Sequence, residues 1–173
     1  GCESSPSTSP ERPASADWAI HFTQIAEASG LRHRNISGDP KQRFIVESIS
    51  AGVAVLDVDG DGWFDLFFVG GTRATDPPEA PSHELYLNEA GHDGRRFRRV
   101  TDESGLSTQG WGMGTAIGDI DNDGDPDLYV TYWGRDQLWR NDSSAGNVRF
   151  TEITSAAGIQ NDDWGTSAAF ADI

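Results

Sequence analysis

Short apolar segments, separated by turn signals, run along most of the chain. Segments such as VAVLDVD, DLFFV, ELYLN and DLYVTY place apolar residues at alternate positions and are rich in β-branched and aromatic residues. This pattern is typical of β-strands that have one buried face. The chain also contains 20 glycines and 8 prolines, which favour turns over long helices. The sequence therefore predicts an all-β fold.

A ten-residue motif occurs three times along the chain. The copies FTQIAEASGL, FRRVTDESGL and FTEITSAAGI begin at Phe22, Phe97 and Phe150, and each predicts a short strand followed by a glycine turn. A second unit follows each copy, and it reads AGVAVLDVDGDGWFDLFFVGG, GMGTAIGDIDNDGDPDLYVTYWG and GTSAAFADI. A third unit, ELYLNEA or QLWRNDS, follows the first two and places Asn88 and Asn141 in matching positions.

The spacing of this motif defines the repeat. The second and third copies start 53 residues apart, and the first and second start 75 residues apart. Insertions at roughly residues 32–48 and 72–83 account for the difference. A unit of about 50 residues with several short strands is typical of a β-propeller blade. We therefore predict a partial β-propeller of about two full blades plus parts of others over residues 18–173, with repeats at about 22–96, 97–149 and, truncated, 150–173.

Each predicted blade has four antiparallel strands. The first strand precedes an aspartate-rich loop, the second follows it, the third is the LYL or LWR segment, and the fourth is the next copy of the phenylalanine motif. In this arrangement the FTQI segment at Phe22 has no earlier strands to pair with. We expect it to supply the outer strand of a last blade, beyond this sequence, and so to close the ring.

Two aspartate-rich loops share the pattern Asp-x-Asp-x-Asp-Gly-x-x-Asp. Carboxylates at the first, third and fifth positions of a curling loop converge on one point, and the glycine permits the sharp turn. The seventh position then offers a backbone carbonyl, and the ninth offers another carboxylate. The pattern predicts two Ca²⁺ sites with these ligands: Asp57, Asp59, Asp61, Trp63 (backbone) and Asp65 in one, and Asp119, Asp121, Asp123, Asp125 (backbone) and Asp127 in the other. Asp172 would begin a third site, which the end of the sequence truncates.

Other metals and another calcium motif fit these loops less well. Zinc and copper sites use His or Cys ligands, which the loops lack, and magnesium prefers fewer protein ligands and more water. An EF-hand needs a glutamate at position 12 and flanking helices. This chain has Phe68 and Val130 there, and the flanks predict strands. The remaining alternative is an acidic hairpin turn that holds no metal.

In combination, these motifs resemble the FG-GAP/VCBS repeats of integrin-α-type propellers. They are more similar still to the bacterial relatives of cartilage acidic protein, the ASPIC/UnbV-type repeat proteins. The resemblance covers about residues 20–173 and rests on FTQIAEASGL, His33-Arg34-Asn35, SAGVAVLDVDGDGWFDLFFVGG and GMGTAIGDIDNDGDPDLYV. It implies a propeller of about seven or eight blades, calcium in the blade loops and export from the cytoplasm. The chain departs from the family in length, and the C-terminal ASPIC-type region is absent.

Net charge and the first residues bear on partners and location. The formal net charge of −15 repels nucleic acid and attracts cations, so we expect no nucleic-acid partner. The single cysteine, Cys2, follows Gly1 and precedes a Ser/Pro-rich stretch that predicts a tether over residues 1–17. This arrangement resembles a processed bacterial lipoprotein. It predicts a periplasmic, cell-surface or extracellular protein that meets the membrane only through a lipid on Cys2; the alternative is an inert cysteine at a fragment edge.

The tryptophans and the basic residues of the first insertion do not identify a ligand. Repeated positions place Trp111, Trp139 and Trp164 in the predicted blade core, whereas Trp133 is not repeated and is the better candidate for ligand contact. The basic first insertion is either a solvated loop or a contact with an acidic partner or a neighbouring blade.

We expect a non-catalytic scaffold that binds a protein or glycan ligand and uses calcium structurally. One alternative is the non-catalytic portion of an exported enzyme whose active site lies in missing blades or a missing domain. A purely structural spacer is another.

Overall fold

A computed structural model gives the fold of residues 20–39, 41, 44–72, 82–144 and 146–171. The described chain is mostly β-structure, with a 3-10 helix at Ile45–Ser48 and one helical turn, α1, at Thr101–Ser104. Within these ranges, no helix is both long enough and apolar enough to cross a membrane. The strands are β1 (Gly52–Leu56), β2 (Asp65–Val69), β3 (Glu84–Gly91), β4 (Gly94–Arg99), β5 (Gly112–Gly118), β6 (Asp127–Tyr132), β7 (Gln137–Asn141) and β8 (Phe150–Glu152).

The strands form two four-stranded antiparallel sheets, each in sequential order. The first sheet, blade 1, has the strand order β1-β2-β3-β4, and the second sheet, blade 2, has the order β5-β6-β7-β8. In both, an aspartate loop joins the first two strands, and a copy of the phenylalanine motif supplies the fourth. Asn88 pairs with Phe97 in the first sheet, and Asn141 pairs with Phe150 in the second. The predicted fold class, with its four-stranded antiparallel blades, is confirmed.

The hydrophobic core lies between the two sheets. One face of blade 1 contributes Phe67 and Val69, and the opposing face of blade 2 contributes Leu128 and Val130, all of them almost completely buried. Alternation along each strand decides which residues turn inward, since successive side chains of a strand point to opposite faces. Burial of this apolar area is the main force that holds one blade on the next.

Small residues let the first strands of successive repeats approach closely. A Cβ added at Gly52 of β1 would lie 3.3 Å from the Cα of Gly114 in β5. A Cβ added at Gly114 would in turn lie 3.6 Å from the Cα of Ser167 in the third repeat. The amide of Gly165 donates to the carbonyl of Tyr132 at 2.9 Å, so the third repeat starts beside blade 2 as β5 starts beside blade 1.

The glycine turns of the phenylalanine motif make a second repeated contact between repeats. Gly30, Gly105 and Gly158 all adopt positive φ angles, of 93°, 85° and 73°. Added Cβ atoms would lie 2.4 Å from the carbonyl oxygen of Phe97 at Gly30, and 3.0 Å from that of Phe150 at Gly105. Each of these two turns therefore packs on the fourth strand of the following blade. The predicted strand-and-turn motif accordingly ends in a turn in all three copies.

The first insertion folds back on blade 1 through specific contacts. His33 stacks on Phe68 with ring centroids 4.6 Å apart, and its Nδ1 lies 2.8 Å from Oε2 of Glu84. Asn35 accepts a hydrogen bond from the amide of Gly71 at 3.1 Å. Glu47 is buried and accepts from the amides of residues 39 and 44, both at 2.7 Å. His33 and Asn35 thus contact blade 1, whereas the described basic residues of the insertion, Arg32, Arg34 and Lys41, are exposed.

Several predictions concern residues that the structure does not describe. Cys2, the tether over residues 1–17, most of the second insertion and Asp172 lie outside the described ranges. The FTQI segment is described and forms no strand, and Phe22 is 93% exposed. Its assignment to the outer strand of a closing blade stays a prediction.

Candidate metal centres

Both aspartate loops are tight hairpin connections between the first two strands of a blade. Loop 1, residues 57–65, joins β1 to β2, and loop 2, residues 119–127, joins β5 to β6; the ninth position of each loop is also the first residue of the following strand. The sixth position of each loop, Gly62 or Gly124, has a positive φ angle of 85° or 96°. The fourth position, Gly60 or Asn122, is left-handed as well, at 71° and 59°. Gly and Asn are the residues that adopt this conformation at least cost.

Loop 1 brings three carboxylates together. One oxygen each from Asp57, Asp59 and Asp61 lies within 4.8 Å of the other two. Asp57 is held in place because it accepts hydrogen bonds from the amides of Asp61, at 3.2 Å, and Gly62, at 2.9 Å. Asp61 accepts from the amide of Trp63 at 2.8 Å. The loop backbone therefore aims the side chains of its first, third and fifth positions at one point.

Loop 2 repeats this arrangement with one difference. Its group of converging oxygens belongs to Asp119, Asp121 and the ninth-position Asp127, again within 4.8 Å of one another. Asp119 accepts from the amides of Asp123 and Gly124 at 3.2 and 3.1 Å. Asp123 accepts from the amide of Asp125 at 2.9 Å. The fifth-position carboxylate thus lies outside the group in loop 2, as the ninth-position carboxylate does in loop 1.

The aspartate at the ninth position of each loop is buried, and it joins the loop to the third strand of the blade. Asp65 accepts from the amide of Val58 at 2.9 Å with one oxygen, and from the amide of Asn88 at 2.7 Å with the other. Asp127 does the same with the amides at positions 120 and 141, both at 2.7 Å. Their relative exposures are 1% and 0%. A buried carboxylate is tolerated here because backbone donors satisfy both of its oxygens.

Burial, together with the neighbouring negative charges, raises the pKa of several carboxyl groups in the loops. Burial raises the pKa of Asp65 to about 6, and the charges of Asp59 and Asp61 add to the rise against the effect of the two amide donors. Burial likewise raises the pKa of Asp59, with further contributions from Asp61 and Asp57. Burial raises the pKa of Asp127 in loop 2. A cation bound at each loop would relieve this repulsion.

The oxygen donors suit a hard divalent cation. Carboxylates and backbone carbonyls are the ligands that Ca²⁺ takes, in flexible geometry and in numbers from about six to eight. Neither converging group contains His or Cys, and those are the ligands that zinc and copper sites favour. The residues present in both loops therefore fit a calcium ion.

A hydrogen bond across the blades connects the two loops. The side-chain amide of Asn141, in blade 2, donates to the carbonyl of Val58 in loop 1 at 3.0 Å. Asp127 accepts from the backbone amide of Asn141, and Asp65 accepts from that of Val58, so this hydrogen bond links the ninth-position aspartates of the two loops indirectly. The matching Asn88 donates instead to its own loop, at Phe64 O. The sequence placed Asn88 and Asn141 in register, but it gave no sign of this link.

The repeated loop also decides the family. The family model described as the FG-GAP-like repeat matches residues 57–130 and, in a second copy, residues 119–173. Each match starts at the first aspartate of a loop, and together they cover more than half of the chain. The chain belongs to the FG-GAP-like repeat family. No curated protein matches it significantly.

In this FG-GAP-like chain the tryptophans divide between core and surface. Trp111 and Trp139 are 3% and 6% exposed, which confirms their assignment to the core. Trp133 is 51% exposed, as its predicted ligand-contact role requires. Trp164 is 38% exposed and forms an antiparallel bridge with Trp133; the described residues of the third repeat form no sheet, so its assignment to a blade core stays a prediction. The bridge lies at the end of β6, opposite the loop 2 end of that strand.

A cavity of about 340 Å³ lies between blade 2 and the third repeat. Its polar centre is Asp136, which is buried and accepts hydrogen bonds from the amide of Tyr132, the hydroxyl of Tyr129 and the side-chain amide of Asn161. These donors satisfy the carboxylate, and the contacts hold the third repeat against blade 2. The arrangement is therefore structural.

Proposed function

We propose that this FG-GAP-like chain is part of a calcium-binding, extracytoplasmic β-propeller that presents a binding surface for a protein or glycan. In this proposal calcium is structural. It neutralises the aspartates of each loop and fixes the hairpin that joins the first two strands of a blade. The observation that carries the proposal is the convergence of three carboxylate oxygens within 4.8 Å in both loops.

The position of the loops supports a structural role. Each converging group lies at the same end of its blade. The aspartate at the ninth position of each loop accepts a hydrogen bond from a backbone amide of the third strand. An ion at this position would therefore stabilise strand pairing as well as the loop. Calcium sites of extracellular modules typically bind at about 10⁻⁴–10⁻³ M, a range that suits surroundings rich in calcium.

A finer family assignment and a location belong to the same proposal. We assign the chain to the group of ASPIC/UnbV-type or integrin-α-type propellers, on the motifs around His33, Asp57 and Asp119. Cys2 and the Ser/Pro-rich stretch that follows it support export and a lipid on Cys2. Mass spectrometry of the protein from its native membrane fraction tests the lipid, because an unmodified Cys2 would remove the anchor from the proposal.

An aromatic patch supports the binding role. The side chains of Trp133 and Trp164 are partly exposed at one end of the second blade. The buried Trp111 packs edge-on against Trp133, with ring centroids 6.0 Å apart, and so restricts the orientation of the Trp133 ring. Partly exposed tryptophans combine apolar area with a polar N–H, and they are enriched where proteins bind their partners.

Isothermal titration calorimetry tests the calcium proposal. We expect two Ca²⁺ ions per chain for the wild type and one for either Asp59→Ala or Asp121→Ala, because each variant removes a carboxylate from one loop only. Mg²⁺ at the same concentrations serves as the control for metal identity, since it fits all-protein oxygen sites poorly. Absence of calcium heats in a folded wild-type chain would refute the proposal.

A further inference from the structure

Arg95 reaches from strand β4 into loop 1 of the same blade. Its Nη2 lies 3.4 Å from Oδ2 of Asp61, the fifth-position carboxylate of the converging group. Its guanidinium carbon lies 4.1 Å from the centroid of the Trp63 ring, at the seventh position. A permanent positive charge therefore stands beside the point where loop 1 gathers its negative charges.

The guanidinium is anchored from behind. Its Nε donates to Oδ1 of Asn88 at 3.2 Å, and its Nη2 donates to the backbone carbonyl of the same residue. The amide of Asn88 is held by Asp65, the ninth residue of loop 1. Asn88 accepts both hydrogen bonds from Arg95 and is itself held by loop 1. Arg95 therefore has a defined position and is not a freely moving surface side chain.

Loop 2 has no arginine at the matching position of its repeat. The residue two positions before the repeat phenylalanine is Arg95 in blade 1 and Val148 in blade 2, and Val148 packs against the core. Arg140 does approach loop 2, with its Nε 3.8 Å from Oδ2 of Asp121. Its shorter contact, at 2.7 Å, is with Asp142, which lies outside the loop. An arginine guanidinium therefore lies closer to the converging carboxylates in loop 1, at 3.4 Å, than in loop 2, at 3.8 Å, where Arg140 mainly pairs with Asp142.

We propose that Arg95 competes with the cation for Asp61 and lowers the calcium affinity of loop 1. The inference rests on the calcium function proposed above. An ion held by loop 1 shares the Asp61 carboxylate with the guanidinium and is also repelled by its positive charge. A monovalent and a divalent charge about 6 Å apart in water repel by an energy that corresponds to roughly tenfold in a binding constant.

The test uses the full chain with Asp121→Ala as background, so that loop 1 is the intact loop under measurement. Tb³⁺ is the probe, because Trp63 at the seventh position can sensitise its luminescence and Ca²⁺ can then be titrated against it. Removal of the charge by Arg95→Gln should raise the calcium affinity of loop 1 about tenfold. Arg95→Met, which keeps the apolar stem over Trp63, should do the same. Arg95→Lys keeps the charge and should stay near the background affinity.

Two different results would separate the role of Arg95 from calcium binding itself. If Ca²⁺ and Tb³⁺ bind but neither Arg95→Gln nor Arg95→Met raises the affinity, the role of Arg95 is refuted and the calcium site stands. If the folded chain with intact Asp121 binds neither ion by luminescence or calorimetry, the calcium function is refuted, and the role of Arg95 falls with it.

Discussion

The Nε2 atom of His83 lies 2.5 Å from the hydroxyl oxygen of Tyr132, and this contact joins the two blades inside the core. His83 precedes β3 of blade 1, and Tyr132 ends β6 of blade 2. The amide of Gly70 donates to Nδ1 of His83 at 3.2 Å, so Nε2 carries the proton and donates to the tyrosine. Tyr132 then donates to Gln137 at 2.7 Å. Both ring nitrogens of His83 therefore have a partner while the side chain stays neutral.

This junction predicts sensitivity to acid. Burial lowers the pKa of His83 to about 4, with a smaller contribution from His33, against an ordinary value of 6.5. The native state therefore binds fewer protons than the unfolded state between these values. The stability that His83 contributes is complete above about pH 6.5 and is lost as the pH falls towards 4.

Urea unfolding at pH 7.5 and pH 5, with EDTA present, measures this effect. We expect His83→Gln to be less stable than the wild type at pH 7.5 and to close part of that gap at pH 5, because glutamine does not titrate. An equal gap at both pH values would contradict the buried neutral histidine.

The raised pKa of Asp65 predicts an opposite trend in the metal-free protein. Its folded pKa of about 6 lies above the ordinary value of 3.8, so its contribution to stability is present below pH 4 and is lost as the pH rises through 6. Calcium binds the ionised form and should offset this loss. We therefore expect the calcium-induced rise in melting temperature to be larger at pH 7.5 than at pH 5. Equal rises at the two pH values would contradict the coupling of Asp65 to the metal.

The three motif glycines form a matched series for packing between repeats. All have positive φ angles, so alanine costs each of them about 1 kcal/mol in backbone strain. A Cβ at Gly30 or Gly105 also meets a backbone carbonyl, at 2.4 or 3.0 Å, whereas at Gly158 it meets open space. We expect destabilisation in the order Gly30→Ala, Gly105→Ala, Gly158→Ala, with about 1–3 kcal/mol added where the Cβ clashes. Denaturant unfolding measures this order, and three equal losses would argue against the packing of turn on strand.

The hydrogen bond from Asn141 to Val58 predicts that a residue of blade 2 supports loop 1. Asn141 is fully buried, and its loss leaves the carbonyl of Val58 without that donor. Removing one partner of a buried hydrogen bond costs about 1–3 kcal/mol. We expect Asn141→Ala to destabilise the chain by this amount and to weaken calcium binding at loop 1 in the Asp121→Ala background. The matched Asn88→Ala, whose bond to Phe64 is exposed, should cost less stability; the reverse order in urea unfolding would be inconsistent with the cross-blade link.

The sequence predicted what repeats locally and missed what depends on the juxtaposition of blades. Alternation of apolar residues predicts the strands, Asp/Gly spacing predicts the hairpin loops, and the repeated motif predicts the glycine turns. Each of these signals lies within a short segment of the sequence. The left-handed fourth position of the loops could have been predicted, because Gly60 and Asn122 are residues that tolerate it. The contacts of Arg95 and Asn141 join residues 34 and 83 positions apart. They could not be predicted, since no periodic pattern records which side chain of one strand faces which loop.

A thermal melt of the chain in excess EDTA, and again in about 10 mM calcium, shows directly whether the loops bind metal. A ligand that binds only the folded state must raise its stability by mass action. For two sites of about 10⁻⁴–10⁻³ M we expect a rise of roughly 5–15 °C in the wild type, and about half of it in either Asp59→Ala or Asp121→Ala. A folded wild type that melts at the same temperature in both solutions would show that the loops are acidic turns without metal.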